Sequence, residues 1–165
     1  MVFNLRLKEG SFTFKDIEML KWFFVNALVQ GVKAFFMDFM LLTPFASLFY
    51  RMMGAKLGRN VQINSKNVAD LSLLEIGDNS VIGGNATVIG HVFERGKLRL
   101  KKVVIGKNSV VGLNAVIMPG CEIGDNAIIG AGAILLKDTK VESRDVWFGV
   151  PAESMRYKKN NLKEI

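Results

Sequence analysis

One histidine occurs in the 165 residues, His91. It lies in IGHVFERGKLRLKK (89–102), a stretch that sets an imidazole, a carboxylate and five cations within fourteen positions. An imidazole, with an unperturbed pKa of about 6.5, can take a proton from a hydroxyl or amine at neutral pH and hand it on. Glu94, three residues on, is the candidate to hold the ring in one tautomer, and the run Lys97 to Lys102 suits a phosphate or an anionic headgroup. Phe93 is expected to pack inward and leave His91 and Glu94 on the open side. The competing reading is a surface histidine without a role.

Composition removes several chemistries. Cys121 is the one cysteine, so an intramolecular disulfide and a cysteine-based zinc framework are both excluded. Cys121 occupies a small-residue position and reads as a buried apolar side chain, and the lone thiol points to a reducing, cytoplasmic setting. A γ-type carbonic anhydrase needs more histidines than this chain has, and no metal is expected. Net charge is +7, which favours an anionic partner: a phosphate-bearing cofactor, an anionic lipid surface or nucleic acid. The cations are scattered and no recognition motif or aromatic stripe accompanies them, so nucleic acid is not expected.

What must position His91 is a six-residue beat. From Ile105 the chain reads IGKNSV, VGLNAV, IMPGCE, IGDNAI, IGAGAI, LLKDTK, and from Ile76 it reads IGDNSV, IGGNAT. The first position is always aliphatic and the fifth is small wherever the beat is clean. The fourth is Asn79, Asn85, Asn108, Asn114, Gly120, Asn126 or Gly132, the residue types that enter the left-handed backbone region at least cost. A turn every sixth residue, with one aliphatic inward each time, predicts a parallel β-helix of three short strands per coil. Ile105 should stack on Ile123, Val111 on Ile129 and Ile117 on Leu135. Between Ile76 and Ile105 the chain has eleven residues more than one coil, and the excess predicts an extruded loop at 89–102 that carries His91.

These hexads, the string GAGAILLKD (130–138) and the closing FGVPAESMR (148–156) resemble the hexapeptide-repeat acyltransferases. The resemblance implies a left-handed β-helix, a homotrimer, and transfer of an acyl group from acetyl-CoA or another acyl-CoA to a small-molecule acceptor, a hydroxyl of a sugar, lipid or peptide-type compound. It implies His91 as the base. It also implies backbone near Ala131 against the pantetheine arm, with Lys137 and Arg156 toward the phosphates. Leu113 and Leu136 stand where such enzymes often carry Ser or Thr, and Glu153 where a second basic residue is common, which opens the donor to a longer acyl-CoA or a carrier-bound acyl group. His-Val-Phe-Glu resembles the His-x-Phe-Glu loop of a branch that includes C-terminal domains of membrane-bound, peptide-synthetase-like proteins. The same helix also serves non-catalytic scaffolds, and that alternative stays open. Val110, Val116 and Ile128 point outward on the coil, as a trimer interface would need.

Three regions follow: an apolar helical segment (1–50), the β-helix (51–150) and a basic tail (151–165). Residues Trp22 to Tyr50 carry only Lys33 and Asp38 as charges. Asp16 is placed to cap a helix starting at Ile17. Gly31 and Pro44 are expected to divide the segment into short helices, each too short to span a bilayer. Such helices could lie in a membrane interface on the cytoplasmic side, insert, or cap the open end of the trimer.

Overall fold

The computed structural model describes residues 6–41 and 43–156, so most of the expected basic tail lies outside the described residues. Three parallel sheets form the walls of a β-helix. Leu57, Ile76, Ile105, Ile123 and Val141 climb one wall. Ile63, Ile82, Val111, Ile129 and Trp147 climb the second, and Val88, Ile117 and Leu135 the third. The expected pairs Ile105 with Ile123, Val111 with Ile129 and Ile117 with Leu135 are in register, and all six side chains are buried. Each ladder is therefore a continuous apolar column inside the coil, and its burial drives the winding.

The corners carry the expected backbone. Asn79, Asn85, Asn108, Asn114 and Asn126 have φ between 52° and 58°, and Gly120 and Gly132 are also positive. Asparagine adds a second contribution there, because its amides chain from coil to coil: Asn67 donates to Asn85, and Asn85 to Asn114 at 2.8 Å. Close stacking explains the glycine that follows Ile76, Ile82, Ile105, Val111, Ile123 and Ile129. A Cβ on Gly112 would stand 2.6 Å from the Ala131 amide nitrogen of the next coil.

Residues 91–100 form a hairpin rather than an irregular loop. His91–Glu94 pairs antiparallel with Lys97–Leu100 through a two-residue turn in which Arg95 (φ 49°) and Gly96 (φ 71°) are both left-handed. That turn matches the natural twist of a hairpin. Leu98 and Leu100 are fully buried, which fastens the hairpin to the coil. Strand β1 (Gly10–Phe12) adds to the free edge of Lys97–Leu100, so the N-terminal residues complete a three-stranded sheet.

Helix α1 runs from Ile17 to Met40 as one unbroken element of 24 residues. Gly31 does not interrupt it, and nothing lies within 4 Å of the place where its Cβ would be. This corrects the expectation of short helices: by length and composition α1 is long enough to cross a membrane. Asp16 is at the N-cap position, but its carboxylate accepts from the Thr13 backbone N–H at 2.5 Å and from the Thr13 hydroxyl, fixing the turn before the helix. Met19, Trp22, Val25, Val29, Lys33 and Met37 form the buried stripe of α1, at helical spacing along its whole length. Helix α2 (Pro44–Met52) buries Ala46 and Tyr50, and the Tyr50 hydroxyl donates to the Ser65 carbonyl at 3.0 Å. Both helices thus pack on the first coil, whose strands have no coil beneath them.

Candidate active site

The site is assembled by three separate parts of the chain: α1, the corner of the first coil, and the hairpin. At the corner, Asp70 adopts the left-handed conformation (φ 52°) just before a short 3-10 turn, Leu71–Leu73. Val68 pairs with Val88 as an isolated bridge, which brings Asp70 beneath Gly90 and the first residue of the hairpin. Asp70 Oδ2 lies 2.5 Å from His91 Nδ1 and accepts from the Gly90 backbone N–H at 2.9 Å. Asp70 Oδ1 accepts from Trp22 Nε1 of α1 at 2.7 Å, with Asn26 Nδ2 at 3.4 Å.

Burial pushes the Asp70 carboxyl up, but the hydrogen bonds from His91, Trp22 and Gly90 outweigh it, and the net shift is downward. A carboxylate so held fixes Nδ1 as the protonated nitrogen and leaves Nε2 as the acceptor. The Trp22 indole packs edge-on to His91, with ring centroids 4.8 Å apart, and also touches Phe93 at 5.4 Å. The imidazole is thus gripped from two sides. It keeps 25% of its side chain exposed, and it forms one end of a cleft of about 540 Å³ that runs beneath α1 past Asn67, Lys33 and Lys66.

Glu94 does not reach His91. In a strand alternate residues share a face, so His91 and Phe93 lie on the Trp22 side while Glu94 turns to the other. There it accepts from Lys137 and stands 3.6 Å from Arg99 Nη1. The Lys137 hydrogen bond chiefly holds the Glu94 carboxyl below its usual range. Phe93, expected to pack inward, is about half exposed against Trp22 and Phe23. A second, smaller hollow on this face is lined by Glu94, Arg95, Arg99 and Lys137.

The remaining expected residues lie on the coil. Ala131 is exposed at a corner. Arg156 is committed within the chain: it donates to the Arg144 carbonyl at 3.0 Å and pairs with Glu142 at 3.4 Å and Asp145 at 3.6 Å. Cys121 is buried, and burial pushes its thiol up to about 11. Among the described residues no group of three or more His, Cys, Asp or Glu is placed to hold a metal.

Sequence reasoning missed Asp70, Trp22 and Asn26. The first coil has lost the hexad phase at NVADLSLLE (67–75), so no spacing marks Asp70. The available signal was position in the coil: Asp70 follows Val68 by two residues as Gly90 follows Val88.

Two stretches of the coil match known repeat families. Residues 102–137 match the family described as bacterial transferase hexapeptide (six repeats), and residues 74–91 match the hexapeptide repeat of succinyl-transferase. A maltose O-acetyltransferase from Clostridium difficile 630 superposes with a TM-score of 0.64 at 21% identity, covering 91% of this chain and 93% of that one. A galactoside acetyltransferase in complex with coenzyme A gives 0.64 at 24% identity, covering 94% and 90%. A delta-poly-L-ornithine synthetase from Acinetobacter baumannii (strain AB307-0294) is 22% identical over 117 residues, 71% of this chain, and the chain spans 9% of that protein's length. The two matched stretches are hexapeptide repeats of the kind found in transferases. The fold is the left-handed parallel β-helix of the hexapeptide-repeat acetyltransferases.

Proposed function

We propose that this protein is an acyltransferase in which His91, oriented by Asp70, takes the proton from an acceptor hydroxyl so that the oxygen attacks a CoA thioester. The observation that carries this reading is the 2.5 Å contact between Asp70 and His91 Nδ1, with the ring open to a cleft on its other side. A non-catalytic scaffold has no use for a buried carboxylate that fixes the tautomer of a solvent-reaching imidazole. The hydroxyl proton goes to Nε2. The new C–O bond forms as the thioester carbonyl becomes tetrahedral, and the C–S bond then breaks. The imidazolium returns the proton to the departing thiolate, and Asp70 stays ionised throughout.

For the donor, Arg95, Arg99 and Lys137 set three cations against the Glu94 carboxylate, a fit to the phosphates of a CoA thioester. Arg156 is occupied by Glu142 and Asp145, and Ala131 keeps only its exposed corner for the pantetheine arm. No step of the chemistry needs a metal ion.

The protein is further read as a homotrimer on a membrane surface, on the cytoplasmic side where CoA thioesters are available. The trimer is supported by an outward column on the second wall, Val81, Val110, Ile128 and Val146, of which Val110 and Ile128 are exposed. The matching outward column of the first wall is mostly charged, with Lys56, Glu75, Glu122 and Lys140. The membrane is supported by the outward face of α1, which is apolar where a helix on a water-facing surface is polar. Asn26 and Lys33 face the coil, while Phe24, Phe35, Phe36 and Phe39 face away from it. Because its buried stripe extends from Met19 to Met37, α1 is held lengthwise on the β-helix and lies along a bilayer rather than through it.

The test is acyl transfer from acetyl-CoA and longer acyl-CoAs to a panel of hydroxyl acceptors, scored by mass shift, with wild type and His91→Ala. Equal transfer by the two would remove His91 from the mechanism.

A further inference from the structure

The cleft that ends at His91 has a cation in its wall for which the acyl-transfer chemistry has no use. Lys33 projects from the inward face of α1 and is 6% exposed, among the most deeply buried charges of the described residues. Its Nζ donates to the Val68 carbonyl, two residues before Asp70. An ammonium has three N–H donors, and one carbonyl takes one of them. Among the described residues no carboxylate lies within ion-pair distance of Lys33. The nearest acid along the helix, Asp38, is paired with Lys66 at 2.5 Å at the far end of the same cleft.

Holding α1 to Val68 does not require a charge. Met37, one turn further along the same stripe, packs without one. Burial pushes Lys33 down to about 8, with Asp70 working against that shift, so near neutral pH it is still largely protonated. A protonated, mostly buried lysine with unused donors, beyond ion-pair distance of Asp70 and facing a cleft that contains the reacting imidazole, has room for an anion of a ligand.

We propose that Lys33 anchors a phosphate group of the acceptor, so that the substrate of this site is a phosphorylated alcohol whose hydroxyl is presented to His91. This rests on the acyl-transfer reading for the role of the hydroxyl, but not for the phosphate site itself. A phosphate fits because it accepts several hydrogen bonds at once and balances the charge. Asn67, also in the cleft wall, adds a neutral side-chain amide. The phosphate could arrive on a small soluble molecule or on a lipid carried by the membrane against which α1 lies.

Titration calorimetry of the full chain in detergent tests the site, with sn-glycerol 3-phosphate as the soluble probe, oleoyl lysophosphatidic acid as the lipid probe and glycerol as the uncharged control. Wild type should bind at least one phosphate probe and not glycerol. Lys33→Met should weaken that binding at least tenfold, and His91→Ala should retain it. Binding of the lysolipid alone marks a lipid-borne phosphate, and binding of both marks a free one as sufficient. Wild type binding neither probe overturns the proposal, as does Lys33→Met binding as tightly as wild type. Acetylation of Lys33 by acetic anhydride at pH 8, followed by mass spectrometry on wild type alone, gives a measurement independent of any variant. The probe should slow it at least threefold, and undiminished labelling overturns the site. CoA release measured in parallel reports separately on acyl transfer, since His91→Ala should stop release without touching phosphate binding.

Discussion

Asp70 Oδ2 sits 2.5 Å from His91 Nδ1 although twenty-one residues separate them, because the coil returns the chain almost to the same corner. The pair belongs to two different coils, and the Trp22 indole closes it from a third segment. Asp70→Asn keeps the shape but presents an amide whose donor face competes for Nδ1. Turnover is expected to fall by roughly 10²- to 10⁴-fold, about as far as for His91→Ala. Steady-state rates with wild type and both variants check this. Near-wild-type rates for Asp70→Asn would exclude the dyad.

Glu94→Gln should act elsewhere. It breaks the pairing with Lys137 and Arg99 on the opposite face of the hairpin and leaves the His91 ring in place. The expected outcome is a change in KM for the acyl-CoA with kcat within about threefold of wild type, an interaction common to ground and transition state. A collapse of kcat with KM unchanged would contradict it.

Lys33 gives a pH signature. Its folded pKa, about 8, lies below the ordinary 10.5, so the folded state releases this proton more readily than the unfolded one. The cost of charging it is fully present below about pH 8, relieved as pH rises toward 10.5 and absent above. It amounts to about 3 kcal/mol at neutral pH. The melting temperature of wild type relative to Lys33→Met should therefore rise between pH 8 and pH 10, measured by thermal scans in detergent. A flat difference across that range would count against a buried charge.

The ladders predict a stability effect confined to the coil. Ile117 is fully buried between Val88 and Leu135. Ile117→Ala should destabilise the protein by about 2–5 kcal/mol through lost burial and a cavity that stacked backbone cannot close. Denaturant or thermal unfolding checks the magnitude, and a change under about 1 kcal/mol would mean that the coil repacks.

The outward face of α1 predicts lipid dependence. Replacing Phe24, Phe35, Phe36 and Phe39 together by Ser leaves the buried stripe of Met19, Trp22, Val25, Val29, Lys33 and Met37 intact. The variant should fold and keep the His91 site but fail to float with vesicles containing anionic lipid. Undiminished flotation would sink the interfacial reading.

The β-helix was legible because each hexad is a local instruction repeated in phase: Ile105, Asn108 and Ser109 specify inward side chain, turn and tuck without reference to distant residues. The stacking pairs follow by counting eighteen. The hairpin was half legible. Its length excess was visible, and the alternation of Leu98 and Leu100 with Lys97 and Arg99, joined to His-Val-Phe-Glu through Arg-Gly, carried the strand signal that the word loop concealed. Glu94 is the carboxylate nearest to His91 in sequence, three residues on, but the extended chain there puts it on the far face. Asp70 was hidden because its partner is set by which coil lies above it, a long-range property that the ragged first coil does not announce. Gly31 misled for a different reason: an exposed glycine weakens a helix by about 1 kcal/mol, and the packing of Val29 and Lys33 on either side overrides that.

The bond from Trp22 to Asp70 spans forty-eight residues, and the edge pairing of Gly10 with Leu100 spans still more of the chain. During synthesis at roughly 5–20 residues per second, α1 is complete for roughly 2–6 seconds before its partner carboxylate exists. For that interval the Trp22 indole and the Lys33 ammonium are without the Asp70 and Val68 acceptors that the coil supplies. On the interfacial reading, the order of emergence from the ribosome exposes the phenylalanine face of α1 to a bilayer before the coil that buries its other face has been made.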